Sequence, residues 1–429
     1  MLTKLQRDEI IALVKKEVIP AIGCTEPMAV ALCVAKATEV LGCRPEKISA
    51  SLSANILKNA MGVGIPGTGM IGLPIAIALG ALIGKSEYQL EVIKDADKDS
   101  VEEGKKYIDE KRINIALKEN IAEKLYIEIK CEADGKGATA IIAGGHTNFV
   151  YIESETEVLL DKRQSGSAET TDDSLSLNMR TVYDFATEAP LQEITFILDT
   201  KKYNEHAAKE ALKGNYGHEL GKTLGRPLSK GILGESIFSH ILSVTASACD
   251  ARMGGAMIPV MSNSGSGNQG ICATNPVVVY AEENNNTEEE LIRSLMLSHL
   301  TAIYIKQSLG KLSALCGCVV ASIGSSCGIT YLMGGDYDRI CASVKNMVAN
   351  LTGMICDGAK PSCALKISSG VSTAVLSAIL SMEHKCVTSA EGIIDNDVDR
   401  CIHNLTSIGA DAMTETDNMV LNIMTHKSC

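Results

Sequence analysis

The 429-residue sequence contains no tryptophan, and aromatic residues make up only 3% of it. Proteins that bind single-stranded nucleic acid usually stack the bases on aromatic side chains, and this chain offers few of them. Acidic residues outnumber basic ones by 52 to 40, which gives a formal net charge of −12. Because phosphate binding needs clustered lysine and arginine, we expect no nucleic-acid partner.

The first residues, MLTKLQRDEI, lack the apolar core of a secretory signal peptide. Residues 70–84 are apolar, but they are fewer than the ~20 residues that a membrane span needs. Residues 312–335 are long enough, yet they are rich in glycine, serine and cysteine. We therefore expect a cytoplasmic chain without a membrane segment, in which cysteines stay reduced and disulfides do not form.

Cysteine is the residue that stands out, with 15 in the chain. Glycine or proline surrounds four of the cysteine neighbourhoods, namely those of Cys24, of Cys316 with Cys318, of Cys356 and of Cys363. The turn-rich segment CDGAKPSC from Cys356 to Cys363 has neither zinc-finger nor ferredoxin spacing. Two interpretations stay open. Three thiolates hold a [4Fe–4S] cluster with one iron open to substrate, or the cysteines pack separately in the core as small apolar residues.

Hydrophobic patterning divides the chain into two parts. Residues 5–18 and 28–41 predict helices, the second with Thr25 as its N-cap, while residues 48–56, 125–130 and 138–143 predict strands. The last two strands are joined by the turn DGKG at 134–137. Helical patterns dominate from about residue 184, after a charged boundary segment at 153–173. We predict an α+β fold, with an α+β domain over residues 1–180 and a mostly α-helical domain over residues 181–429.

Four segments together resemble the iron–sulfur L-cysteine desulfidase family, which is related to the iron–sulfur L-serine dehydratases. They are GCTEP at 23–27, KN at 58–59 with GIPGTG at 64–69, LSALCGC at 312–318 and CDGAK at 356–360. The resemblance runs from about residue 20 to residue 385. It implies an oxygen-sensitive [4Fe–4S] cluster in the helical domain and the conversion of L-cysteine to pyruvate, ammonia and sulfide.

The resemblance also implies three cluster ligands, here named the cluster cysteines: Cys316, Cys356 and Cys363. Cys318 is a rival for Cys316, because the Cys-Gly-Cys sequence leaves the choice open. Cys24 matches a fourth family cysteine, which either caps the open iron at rest or acts as the catalytic base. Its place at a predicted helix N-terminus is expected to lower the thiol pKa, so we predict a catalytic Cys24. Cys429 matches a C-terminal cysteine that covers the cluster in some dehydratases, although a frayed terminus is the alternative.

The implied reaction is a β-elimination, which needs a base for the Cα proton and donors for the substrate carboxylate. Seven polar residues are candidates for substrate binding: Lys58, Asn59, His146, Asn148, Ser264, Ser266 and Asn268. The last three lie in a glycine-rich loop within the charge-free residues 253–281, a pattern typical of a buried pocket. His146 follows from a looser match to a His-x-Asn stretch of the dehydratases. For Lys58, a solvated surface position is the alternative.

Three other functions remain open at this point. An iron–sulfur L-serine dehydratase would use the same chemistry with hydroxide as the leaving group. A non-catalytic iron–sulfur redox sensor would use the same cysteines without turnover. A pyridoxal-phosphate lyase would need a strand-embedded lysine motif, and we find none in the sequence. For the main hypothesis we expect a small amino acid as substrate and a homo-oligomeric assembly.

Overall fold

A computed structural model describes residues 2–119, 121, 123–163, 175–310 and 313–426. Helices dominate this part of the chain. They are α1 (Lys4–Glu17), α2 (Thr25–Leu41), α3 (Ala54–Ala60), α4 (Leu73–Leu82), α5 (Lys98–Asp109), α6 (Met179–Glu188), α7 (Leu191–Ile194), α8 (Leu198–Lys213), α9 (Leu220–Leu224), α10 (Pro227–Leu233), α11 (Ile237–Met253), α12 (Gly267–Glu283), α13 (Glu288–Leu309), α14 (Gly317–Leu332), α15 (Tyr337–Leu351), α16 (Cys363–Met382), α17 (Val398–Ser407) and α18 (Thr414–His426). Shorter helical turns span Ser86–Glu91, Thr195–Ile197 and Ile408–Ala412.

The described residues form two sheets. Their strands are β1 (Pro20–Ile22), β2 (Lys47–Leu52), β3 (Ile113–Leu117), β4 (Tyr126–Ala133), β5 (Lys136–Ala143), β6 (Phe149–Glu153), β7 (Val158–Asp161) and β8 (Pro259–Met261). The larger sheet has the order β3-β2-β4-β5-β6-β7, and all its neighbours are antiparallel except β2 and β3. The alanine-rich helix α2 packs against β4 and β5 and covers one face of this sheet.

The predicted hairpin and the first two helices are confirmed. Strands β4 and β5 pair around Asp134 and Gly135, which have φ angles of 51° and 73° and so form the left-handed turn that the sequence predicts. Cys24, rather than Thr25, is the N-cap of α2. The predicted strand over residues 48–56 is wrong beyond Leu52, because Ser53 is the N-cap of helix α3.

The second half of the chain is built around α14. This helix contacts α12, α13, α15 and α16, and nearly all its residues are buried. Its glycines permit close helix packing: a Cβ on Gly324 would lie 2.3 Å from the carbonyl oxygen of Ser298 in α13. The predicted α+β fold with a helical second half is confirmed. The boundary at residue 180 stays a prediction, and one cluster of buried apolar side chains extends from Ile10 to Leu421.

A second, two-stranded sheet joins distant parts of the chain. Strand β1 pairs antiparallel with β8, so that residues 20–22 lie beside residues 259–261. The contact continues beyond the strands, since the backbone N–H groups of Ser262 and Ser264 donate to the carbonyl oxygens of Ile19 and Glu17. This pairing brings the segment that leads to Cys24 next to the polar loop at 262–268.

Among the described residues, α16 alone has the length and apolar composition that would allow a helix to cross a membrane. Half of its apolar window is buried in the protein, as in the core helix of many folds. The apolar runs considered in the sequence correspond to α4 and α14, which are shorter. This is weak evidence for a membrane span, and the predicted cytoplasmic location stays a prediction.

Candidate active site

A cavity of about 170 Å³ collects residues from segments that are far apart in the sequence. Five cysteines line it: Cys24, Cys316, Cys318, Cys356 and Cys363. Four long helices also begin at its wall, since Cys24, Ser266 and Cys316 are the N-caps of α2, α12 and α14, and Cys363 is the first residue of α16. Helix N-termini carry partial positive charge, so this wall favours bound anions and thiolates.

Two short backbone contacts bring the cluster cysteines together. The N–H of Cys316 donates to the carbonyl oxygen of Met354 at 2.9 Å, and the N–H of Cys356 donates to that of Ala314 at 2.6 Å. These bonds hold the segment before α14 against the segment before α16. Cys363 follows Cys356 by seven residues, as the first residue of α16, and its Sγ lies 3.6 Å from the carbonyl oxygen of Gly358. All three sulfurs therefore belong to the same cavity wall.

Gly358 is the glycine of the CDGAK motif, and its position explains why a glycine is needed there. Its φ angle is +89°, and a Cβ at this position would lie 2.2 Å from the carbonyl oxygen of Lys58. Only glycine fits both the left-handed backbone and this close approach. The loop between Cys356 and Cys363 therefore rests directly on the backbone of α3.

The donor chemistry of the cavity fits an iron–sulfur cluster. Its wall supplies three cysteine sulfurs and the N-termini of four helices, which suit a thiolate-bound cluster of negative charge. Burial raises the pKa of Cys356 and of Cys363, so bound cations would be needed to keep both as thiolates. No three His, Cys, Asp or Glu side chains in the described ranges are spaced to hold a single metal ion. A cluster spreads its thiolate ligands over several iron atoms and needs no such group.

The cavity contains both candidates for the first cluster ligand, Cys316 and Cys318. The pKa of Cys316 is raised, first by a hydrogen bond with Cys318 and then by burial. The pKa of Cys318 is raised first by a hydrogen bond with Cys272 of α12, so this thiol already has a partner outside the cavity. The charge of Cys316 acts on the pKa of both Cys356 and Cys363. The charge of Cys363 also acts on the pKa of Cys318, so Cys316 stays the predicted ligand and Cys318 its rival.

Cys24 also lines the cavity, and its thiol contacts a carboxylate. Its thiol donates to Glu26 Oε2 at 2.9 Å, and the other carboxylate oxygen accepts from Asn59 Nδ2 at 3.3 Å. Burial, followed by the negative charge of Glu26, raises the pKa of Cys24 well above its ordinary value, although the nearby Arg252 lowers it. The expectation of a lowered thiol pKa is therefore wrong, since burial and the carboxylate outweigh the helix N-terminus.

The predicted polar loop lies at the cavity. Ser264, Ser266 and Asn268 all line it, as the sequence pattern suggests. Ser264 has a φ of +48° and donates its hydroxyl to Asn263 Oδ1, while Ser266 accepts from the N–H of Gln269. Asn268 accepts a hydrogen bond from Arg252 Nη1 at 3.1 Å. Asn268 therefore holds a buried arginine in place.

The other predicted substrate-binding residues divide into two groups. Asn59 and His146 line the cavity. Asn148 lies outside it and donates to the carbonyl oxygen of Ala143, which closes the turn between β5 and β6. Lys58 also lies outside the cavity, and its side chain, which is only 2% exposed, forms an ion pair with Asp417 of α18. Lys58 is therefore not a solvated surface residue, and it links α3 to the C-terminal helix. Cys429 is outside the described residues.

Five cavity residues were not identified from the sequence: Glu26, Asn55, Arg252, Gln269 and Lys306. Arg252 and Lys306 carry a signal that could have revealed them. Arg252 is the only Lys or Arg in α11, and Lys306 follows residues 294–305, which contain no Lys, Arg, Asp or Glu. Both are buried, and burial lowers the pKa of Lys306 to about 8. Asn55 and Gln269 carry no such signal, because only the packing of distant segments brings them to the cavity.

Comparisons with known proteins identify the family of this chain. The chain is 72% identical over 430 residues to the UPF0597 protein of Phocaeicola vulgatus, which covers 100% of both chains. It is 70% identical over 422 residues to a UPF0597 protein of Bacteroides thetaiotaomicron, with 98% of each chain covered. It is 45% identical over 428 residues to one of Shewanella halifaxensis, with 96% of this chain and 97% of the relative covered. Residues 87–422 match a family model described as the serine dehydratase alpha chain, as the predicted relationship requires. The chain therefore belongs to the serine dehydratase alpha chain family.

Proposed function

We propose that this chain is an iron–sulfur lyase that converts L-cysteine to pyruvate, ammonia and hydrogen sulfide. One observation carries the proposal: the three cluster cysteines and Cys24 line a single cavity together with buried polar and charged groups. Scattered core cysteines would not be expected to converge on the same polar cavity. Family membership supports a lyase, while the choice of L-cysteine rests on the motifs around Cys24 and the cluster cysteines.

Cys316, Cys356 and Cys363 would hold the [4Fe–4S] cluster. When bound there, it would supply a Lewis-acidic iron that favours departure of the substrate sulfur. The four helix N-termini at the cavity wall would offset the negative charge of the thiolates. Cys318 would remain a thiol, hydrogen-bonded to Cys272.

Cys24 and Glu26 would carry out the proton transfers of the reaction. Since the Cys24 thiol donates to Glu26 at 2.9 Å, transfer of this proton to the carboxylate would produce the thiolate without rearrangement. The thiolate would then take the Cα proton of the substrate. The electron pair of the Cα–H bond forms the Cα–Cβ double bond, and the Cβ–S bond breaks with release of hydrosulfide. The resulting aminoacrylate tautomerises to an imine, and water hydrolyses this imine to pyruvate and ammonia.

An L-serine dehydratase is the second candidate, and the description of the matching family favours it. The same residues would serve, with hydroxide in place of hydrosulfide. The two functions differ in the leaving group alone, so they are separated by substrate rather than by mechanism.

The test is an anaerobic reconstitution with iron and sulfide, followed by parallel assays of pyruvate from L-cysteine and from L-serine. The proposal expects faster turnover of L-cysteine, with one sulfide released per pyruvate. Faster turnover of L-serine would support the dehydratase instead. A fully iron-loaded protein that forms pyruvate from neither amino acid would contradict both functions and favour a redox sensor. Cys43→Ala is a matched control for Cys356→Ala, because Cys43 is exposed and lies outside the cavity.

A further inference from the structure

Three buried polar atoms at the cavity lack hydrogen-bond partners among the described residues. They are Arg252 Nε, Gln269 Oε1 and Asn55 Oδ1. The three residues are 4%, 3% and 8% exposed, so water in bulk does not solvate them. A buried polar atom without a partner is costly, so each of these atoms calls for a ligand or an ordered water as its partner. One of these atoms is a cationic donor and the other two are acceptors.

Arg252 is held in a fixed position near the end of α11. Its Nη1 donates to Asn268 Oδ1 at 3.1 Å, and the missing side chain of Gly267 gives it space. A Cβ on Gly267 would lie 2.3 Å from Arg252 Nε and 2.8 Å from Arg252 Cδ. Among the described residues, the side-chain partners of its Nη1 are Asn268 Oδ1 and, at 4.0 Å, Met253 Sδ, and neither is a carboxylate. A permanently charged and buried guanidinium without an acidic partner suits an anionic ligand, above all a carboxylate.

Gln269 and Asn55 offer complementary chemistry. The Gln269 side chain packs against Gly317, where a Cβ would lie 3.0 Å from its Cδ atom. Asn55 lies in the first turn of α3 and lines the same cavity. The unpartnered amide oxygens of these two residues are hydrogen-bond acceptors. An ammonium group, which has three N–H donors and no acceptor, is therefore a suitable partner for both.

We propose that Arg252 binds the α-carboxylate of an amino acid, and that Gln269 and Asn55 accept hydrogen bonds from its α-ammonium group. The cavity thereby selects zwitterionic α-amino acids over simple carboxylic acids and over amino amides. This assignment rests on the proposed function for the identity of the substrate, but the binding itself requires no turnover. Gly267 and Asn268 act as positioning residues for the Arg252 guanidinium.

The test measures binding of L-alanine, which has no β-substituent to eliminate, to the reconstituted protein by isothermal titration calorimetry. L-alaninamide lacks the carboxylate charge, and propionate lacks the ammonium group. Loss of one charge-assisted contact in a buried site weakens binding by about 10- to 100-fold. The wild-type protein is therefore expected to bind L-alanine at least ~10-fold more tightly than either analogue.

In Arg252→Gln, the affinity for L-alanine should fall by about 10- to 100-fold, while the affinity for L-alaninamide stays unchanged. The variant should therefore no longer discriminate between L-alanine and its amide. Gly267→Ala keeps the arginine but displaces it, and it should give the same loss in a protein with wild-type iron content. Gln269→Leu should weaken L-alanine binding without changing propionate binding.

Equal discrimination in Arg252→Gln and wild type would overturn the assignment. So would loss of discrimination in Lys306→Met alone, since Lys306 is the other buried cation at the cavity. Wild-type binding of L-alanine no tighter than of its amide would overturn it as well. Pyruvate formation is measured separately, so a protein that binds L-alanine through Arg252 but turns over no amino acid would contradict the proposed function alone.

Discussion

Gly358→Ala tests whether the loop between Cys356 and Cys363 must rest on α3 to form the site. The added Cβ would lie 2.2 Å from the Lys58 carbonyl oxygen, whereas C···O contacts are normally no shorter than ~3.3 Å. The loop or α3 must therefore move by about 1 Å. The φ angle of +89° adds a strain of ~1–2 kcal/mol for any residue with a Cβ.

Gly334→Ala separates these two effects. Gly334 has a φ of +87°, and a Cβ there would meet no heavy atom within 4 Å. The Gly334→Ala variant has the same backbone strain without a steric clash. It should therefore lower thermal stability while leaving iron content and turnover near wild type. Gly358→Ala should in addition lose most of its iron and at least ~10²-fold in turnover, because a displacement of 1 Å can cost that much.

The assay compares iron per chain, pyruvate formation and thermal unfolding for the two variants and the wild type. Far-ultraviolet circular dichroism should show the same helix content in all three. If Gly358→Ala matches Gly334→Ala in iron content and turnover, the contact between the loop and α3 does not position the cluster cysteines, and the reasoning fails.

Three further predictions concern the thiols. Replacing any one of the cluster cysteines by Ala should remove iron and activity together, while Cys43→Ala should change neither. Full iron content in Cys316→Ala together with loss of iron in Cys318→Ala would exchange the assignments of these two cysteines. Cys24→Ser should keep most of its iron but lose at least ~10²-fold in turnover, the scale expected for a missing base; parallel loss of iron would instead make Cys24 a structural ligand. Since burial and Glu26 raise the Cys24 pKa, the thiol is protonated at neutral pH, and kcat/KM should rise as the pH becomes alkaline. Glu26→Gln removes the carboxylate that accepts the Cys24 proton, so kcat/KM at neutral pH should fall. It also removes the charge that raises the thiol pKa, so the alkaline rise should move to lower pH. A profile that is flat in both proteins would contradict a role for the thiolate.

Local sequence signals predict much of this fold. The hairpin at β4–β5 follows from alternating apolar residues around Asp134-Gly135, and the helical half follows from its periodicity. The strand predicted over 48–56 fails after Leu52, because the apolar residues Ile56 and Leu57 belong to helix α3 and not to a continued strand. A single Ser before a short helix is too weak a signal to mark that change.

The site was only partly predictable, for a related reason. The cysteines and the loop at 264–268 have local glycine-rich signatures, and the structure brings them to one cavity. Their meeting depends on the pairing of β1 with β8, two three-residue strands more than two hundred residues apart that no periodicity reveals. The partners of Arg252 and the raised pKa of Cys24 depend on burial, which is a property of the whole fold. For Lys58 the local motif was misleading. It suggested a contact with the substrate, whereas the side chain forms an ion pair with Asp417.

The most direct test of the central claim compares activity with iron content in one series of samples. Protein reconstituted anaerobically to different extents is analysed for iron per chain and for the rate of pyruvate formation from L-cysteine. We expect a rate that rises with iron content, extrapolates to zero without iron and reaches its maximum at about four iron atoms per chain. A rate that is the same in iron-free and fully loaded protein would contradict it.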